Sequence, residues 1–130
     1  MRKIICFLLL CTMFMFAFEE LTFSNNLERA KQDASQKSQK ILLMFSQEGC
    51  PTCEYMEDIA FHDAILANHI RQNFILVKLD INKDTIPSHL KVYGTPTFYV
   101  LNPQGEKQGR PIVGGGTAEA FLKLLKTYQE

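Results

Sequence analysis

Cys50-Pro51-Thr52-Cys53, set just beyond the apolar run Ile41-Leu42-Leu43-Met44-Phe45, is the stretch from which the fold of this chain can be read. Two cysteines separated by two residues can close a disulfide across the first turn of a helix. The same pair can reopen by thiol–disulfide exchange. Pro51 suits that first turn, where a missing N–H costs nothing. The five apolar residues before it are bounded by polar ones, which predicts a buried strand. Ser46-Gln47-Glu48-Gly49 then reads as the loop leading to Cys50. Strand, loop, paired cysteines and helix form a unit that points to redox chemistry.

The 130 residues suit one domain with a modest core, and a hydrophobic content of 46% suits a globular one. Basic and acidic side chains balance at 14 each, and no basic stripe interleaves with aromatics. A nucleic-acid surface is therefore not expected. The N-terminus differs in kind. Arg2 and Lys3 precede an uncharged stretch from Ile4 to Phe18, which is shorter than the roughly 20 residues of a membrane span. The pattern reads as a secretory signal over residues 1–18, ended by Glu19-Glu20, with cleavage after Ala17 or Phe18. Its competitor is an uncleaved anchor, the only membrane association expected. Lipid attachment at Cys11 is disfavoured, because Leu8-Leu9-Leu10 leave no small residue before it. Residues 19–130 remain as the domain. Loss of the signal removes Cys6 and Cys11, so that Cys50 and Cys53 are the one possible pair. A loop so short is a weak staple, since loop-closure stabilisation grows with length. Chemistry explains the pair better than stability does.

The rest of the chain alternates helix and strand. Ser24-Asn25-Asn26 offers caps, and Glu28 lies three after Asn25 as in a capping box. A surface helix to about Ser38 is predicted, with Leu27, Ala30 and Ala34 inward. After Cys53, Met56, Ile59 and Ala60 recur at helical spacing. The pattern runs on through Ile65, Leu66 and Ile70, with a break near Phe61-His62-Asp63. Phe74–Ile81 reads as a central strand. Asp84-Thr85-Ile86-Pro87 opens a short helix ending near Tyr93-Gly94. Thr97–Leu101 is a strand, Asn102-Pro103-Gln104-Gly105 a turn, and Arg110–Val113 a short strand. Gly114-Gly115-Gly116 breaks it, and Thr117 caps a last helix to about Tyr128. That helix buries Ala120, Phe121, Leu124 and Leu125. Alternation implies a parallel segment, and the closing hairpin adds antiparallel strands.

This order, with Cys50-Pro51-Thr52-Cys53 opening the second helix, resembles the thioredoxin fold over about residues 26–128. Gly94-Thr95-Pro96-Thr97-Phe98 resembles the segment that holds the family's cis-proline. Val113-Gly114-Gly115 before the last helix is a third mark in register. The fold class implied is α/β, a thioredoxin fold with a central mixed β-sheet flanked by helices. Cys53-Glu54-Tyr55-Met56-Glu57 with Phe61, and Val77-Lys78-Leu79-Asp80, are similar to exported thioredoxin-like proteins of the SoxW type and to the C-terminal domain of DsbD. Pro51-Thr52 also occurs in reductants of cytochrome c maturation. Two departures stand out. Gly49 replaces the Trp before the first cysteine, and Met44 replaces the buried Asp six residues before it. The family's proton acceptor is thus absent, and Glu48 and Glu54 are weak substitutes for it.

The resemblance implies roles. Cys50 attacks a substrate disulfide, because N–H groups and the dipole at a helix start favour its thiolate. Cys53, one turn on and less exposed, resolves the mixed disulfide. Thr95 pairs its backbone with the substrate beside cis-Pro96, like an added strand. Partners are protein thiols and disulfides, with a membrane thiol reductase as electron donor, and the location is periplasmic. No cofactor is implied. A zinc site takes about four ligands, and neither a second Cys-x-x-Cys nor a His-x-x-x-His is present, so no metal is expected. His62, His69 and His89 read as surface or helix-face residues. Glu54, Glu57 and Asp58 read as a solvated face, and the triple glycine as a flexible connection. Glu48 either repels the thiolate or is plain loop. Direction stays open among a reductant, an oxidase or isomerase, and a binding module whose disulfide is structural. The lack of an inserted helical domain argues against a DsbA-like oxidase.

Overall fold

The structure is a computed structural model and describes residues 19–129. The expected signal over residues 1–18 lies outside them. Asn26 caps the first helix, α1 (Leu27–Lys37), its side chain accepting from Arg29 N at 3.0 Å. The cap is one residue later than the Asn25–Glu28 box predicted, so Glu28 falls in the first turn and pairs with Lys31 instead. Ala30 and Ala34 form the buried stripe. Strand β1 (Lys40–Ser46) follows, then α2 (Pro51–Asp58), a 3-10 turn (Ala60–His62), α3 (Ala64–Asn73), β2 (Phe74–Asp80), β3 (Thr97–Leu101), β4 (Ile112–Val113) and α4 (Ala118–Lys126).

The sheet order is β2-β1-β3-β4. β1 runs parallel to β2 and antiparallel to β3, and β4 closes the hairpin with β3. The continuous apolar run marks the strand buried on both faces, and that strand is β1. The Phe74–Asp80 strand, expected in the centre, lies at the edge of the four, and Ser24 bridges to Val77 on its outer side. Side chains alternate across β1 as strand geometry requires. Leu42 and Met44 face the core with α2, α3 and α4, while Ile41, Leu43 and Phe45 face the core with α1. Phe98 and Phe121 stack edge to face at 4.8 Å in the first of these, with Phe61 against both.

Local chemistry accounts for the other departures from expectation. The helix break falls at Ile59, the cap of α2. Asp63 then restarts the helix by accepting from Ile65 N and Leu66 N. The new axis buries Leu66 and Ile70 and leaves Ile59 and Ile65 outside, at 59% and 70% exposed. No helix forms between β2 and β3. Pro87 cannot donate and keeps Ile86 out of the helical region, and Asp84 is bound back to Asp80 N instead. Pro111 likewise shortens β4 to two residues. On α4, Phe121 and Leu125 are buried with Ala118 and Leu122 packed beside them. Leu124 is exposed, and so is Ala120. The helix ends at Lys126, short of Tyr128, whose hydroxyl donates to Arg110 O.

His69 on α3 gives the fold a pH dependence. Its Nε2 is buried without a hydrogen-bond partner. Burial, and then the charge of Lys126 on α4, hold its pKa below the ordinary 6.5. The unfolded chain therefore takes up a proton at a pH where the folded one does not, and stability falls as pH drops below about 6.5. His69→Gln is expected to remove that part of the loss. Urea unfolding midpoints between about pH 8 and about pH 5 will show a smaller decline in the variant; equal declines would contradict this.

Candidate active site

β1 delivers the chain to the site. Gly49, at a φ of +74°, turns it, and Cys50 becomes the N-cap of α2. A capping side chain usually offers oxygen. Here Cys50 Sγ accepts from Cys53 N at 3.1 Å. The cysteines are joined in a disulfide, their Cα atoms 5.2 Å apart. Once the bond is reduced, the free N–H groups and the dipole at this helix start favour negative charge on Cys50. Cys50 is 6% exposed and Cys53 1%, so an approaching group meets Cys50 first.

The second wall is the segment before β3. The Thr95–Pro96 peptide bond is cis, and Thr95 O lies 3.5 Å from Cys50 Sγ. Buried Thr97 anchors this segment, its hydroxyl donating to Gly94 O at 2.6 Å and accepting from Tyr93 N at 3.2 Å. Farther back, Tyr99 Oη donates to Lys91 O at 2.7 Å. The third wall is the triple glycine. Gly114 donates to Pro96 O at 2.8 Å, and Gly116 N reaches Met56 Sδ at 3.5 Å. A Cβ at Gly115 would stand 2.7 Å from the Thr52 methyl and 3.1 Å from Met56 Sδ. Instead of a loose connection, this stretch is a contact packed on the first turns of α2. Three segments far apart in sequence thus meet around one disulfide.

The charged candidates separate. Glu48 is exposed and pairs with Lys83 at 3.2 Å. Glu54 is exposed on α2. Glu57, expected on the solvated face, instead pairs with Lys78 and is only 21% exposed. Lys78 is the register partner of Met44 in the sheet, and Met44 is buried in the same core as Cys53. The histidines stay apart. His62 is exposed on the 3-10 turn, His69 lies on α3, and His89 bonds Gly105 O at 3.0 Å. The Glu57–Lys78 pair and the Gly115 contact escape a reading of the sequence alone, since both depend on how α2 sits across the sheet.

A family model for a thioredoxin-like domain matches residues 27–129. The chain belongs to that family. Among curated relatives, the thiol:disulfide interchange protein DsbD of Campylobacter jejuni is 26% identical over 109 residues, covering 80% of this chain but 19% of the relative. The thioredoxin-like chain thus spans about a fifth of the length of the curated DsbD relatives it matches. A putative disulphide-isomerase from Bacteroides thetaiotaomicron superposes with a TM-score of 0.74 at 22% identity, covering 86% of this chain and 95% of that one. The oxidised C-terminal domain of Neisseria meningitidis DsbD gives 0.64 at 14% identity, covering 83% and 100%. These two likenesses establish the thioredoxin fold. Family and paired cysteines together place the chain among thioredoxin-like thiol–disulfide oxidoreductases.

The glycine contact is open to test. Gly115→Ala forces a methyl against Thr52 and Met56, and is expected to destabilise the domain by about 1–3 kcal/mol. Thr52→Ser removes the opposing methyl. The double variant should recover part of the loss, seen as a non-additive term in a denaturation cycle. Strict additivity would show that the two residues do not meet.

Proposed function

We propose that this chain is an exported thiol–disulfide oxidoreductase acting mainly as a reductant of protein disulfides. The observation that carries the reading is Cys50 capping α2 in a disulfide with the more buried Cys53, beside the cis Thr95–Pro96 segment. Reduced Cys50 attacks a substrate disulfide, forming a mixed disulfide and releasing one substrate thiolate. Cys53 then attacks Cys50 Sγ, which frees the second thiolate and restores the internal disulfide. Thr95 and Pro96 form the substrate-binding edge, with the backbone of Thr95 pairing to an extended segment of the substrate.

Each turnover leaves the pair oxidised, so a donor of two electrons is required. A membrane thiol reductase suits this need, and the likeness to part of DsbD, itself named an interchange protein, supports the choice. Export rests on the basic and then apolar N-terminus. Among the described residues no helix is long and apolar enough to cross a membrane. In an oxidising compartment disulfides persist unless something reduces them, which gives a reductant its purpose there.

Two measurements test the reading. Cys50→Ser is expected to abolish reduction of a protein disulfide, and Cys53→Ser to accumulate a covalent complex with substrate at Cys50. Equilibration with glutathione buffers should give a potential near the roughly −270 mV of a reductant. A value near the roughly −120 mV of an oxidant would reverse the proposed direction. A pair that resists reduction would leave a binding module.

A further inference from the structure

The segment ahead of the Thr95–Pro96 bond carries two exposed side chains with no part in the exchange described above. From Leu90 to Leu101 the sole charged residue is Lys91. Among the described residues it belongs to none of the ion pairs. Its Nζ lies instead 5.0 Å from the ring centroid of Tyr93, and Tyr93 is itself 51% exposed. A cation in that position is attracted by the ring's quadrupole. The main chain beneath the two is tied to the sheet. Buried Tyr99 donates its hydroxyl to Lys91 O. The hydroxyl of buried Thr97 accepts from Tyr93 N and donates to Gly94 O. Both anchors stand on one face of β3, two residues apart. Lys91 and Tyr93 therefore sit on a ledge bonded to β3.

The ledge adjoins the disulfide. Tyr93 precedes Thr95 by two residues, so their Cα atoms are at most about 7 Å apart, and Thr95 O is 3.5 Å from Cys50 Sγ. Gly94 lies between them, and a Cβ built on it would meet nothing within 4 Å. The space over Gly94 is thus open to an incoming main chain. A substrate segment paired to Thr95 as an added strand advances about 3.3 Å per residue. Two residues from its cysteine it has crossed Gly94 and come to Tyr93 and Lys91. Side chains two apart in a strand point to the same side, so that residue faces the ledge when the cysteine faces Cys50. We infer that Lys91, held over Tyr93, selects protein disulfides that carry a carboxylate side chain two residues from the attacked cysteine. The inference rests on the reductant reading and on the Thr95 edge proposed above. Tyr93 offers apolar surface to the methylene groups of the acid, and the ammonium meets its carboxylate. Glu48, two residues before Cys50, is paired with Lys83, which leaves Lys91 for a charge on the substrate.

The test uses the reduced protein and short peptides with blocked ends. Each peptide has one cysteine, capped as a 2-pyridyl disulfide, among uncharged residues. Glu, Gln or Lys stands two residues before the cysteine or two after it. The Cys50 thiolate bonds to the peptide sulfur, and pyridine-2-thiolate leaves with the electrons of the broken S–S bond, which its absorbance reports. Rates are divided by those with 2-mercaptoethanol, which removes each peptide's own reactivity. At low salt the Glu peptide of one placement is expected to react about threefold faster than its Gln counterpart, and the Lys peptide slower by a similar factor. High salt should erase the difference. Lys91→Glu is expected to invert the order and Lys91→Gln to abolish it, both leaving the Gln peptide at its wild-type rate. Lys91 is exposed and enters the bonds above only through its main-chain oxygen, so both substitutions spare them. Equal rates for Glu, Gln and Lys in both placements overturn the inference, as does an order that survives Lys91→Glu. Failure of the wild type to react with any peptide, by contrast, overturns the redox reading itself.

Discussion

Everything in this domain is arranged around a strand whose five apolar residues, Ile41 to Phe45, keep no contact with water. β1 is hydrogen-bonded on both edges and its apolar residues are buried on both faces. A sheet strand covered in this way needs helices above and below, and α1 takes one face while α2, α3 and α4 take the other. Its end is therefore fixed in position and direction. The disulfide begins four residues past Ser46, so the reactive sulfur is placed by the most deeply buried strand of the sheet. A group that must meet a foreign disulfide in line gains from such placement.

What the sequence made legible follows the range of the forces involved. β1 could be read from its own residues, as could the Cys50 cap with Pro51 behind it, because burial on two faces and the missing proline N–H are local signals. The Thr95–Pro96 segment was legible by resemblance, and the cis bond is found there. The strand Phe74–Asp80 was misplaced to the centre because β-propensity reports packing, not position in a sheet. The expected helix after it was undone by Pro87 and the Asp80–Asp84 turn, two local facts that outweighed a favourable start. The break near Phe61-His62-Asp63 was legible, but Ile59 and Ile65, which recur at helical spacing, prove exposed. The period is interrupted, and each helix sets its own face.

The site was harder to read than the fold. Cys50 and Cys53 announce themselves by spacing. The Glu57–Lys78 ion pair near them does not, since Glu57 looks like one more acid on an exposed turn until sheet register sets Lys78 beside Met44. The three glycines look permissive in sequence and prove constrained, with Gly115 pressed on Thr52 and Gly114 tied to Pro96. Both oversights have one cause. Register and interhelical approach are long-range quantities, and composition carries no trace of them.

The bridge between Ser24 and Val77 has a bearing on how the molecule keeps company with others. Ser24 donates to Leu76 O and accepts from Lys78 N, each at 2.9 Å, and so closes the middle of the outer edge of β2. At the opposite edge β4 is two residues long. Both borders of the sheet are blunted, one by a strap and one by brevity. Open borders invite chains to stack into aggregates. A protein that meets unfolded or partly oxidised clients, as the proposed function requires, would be especially prone to that, and with both borders blunted the segment beside the disulfide is left as the proposed place for main-chain pairing.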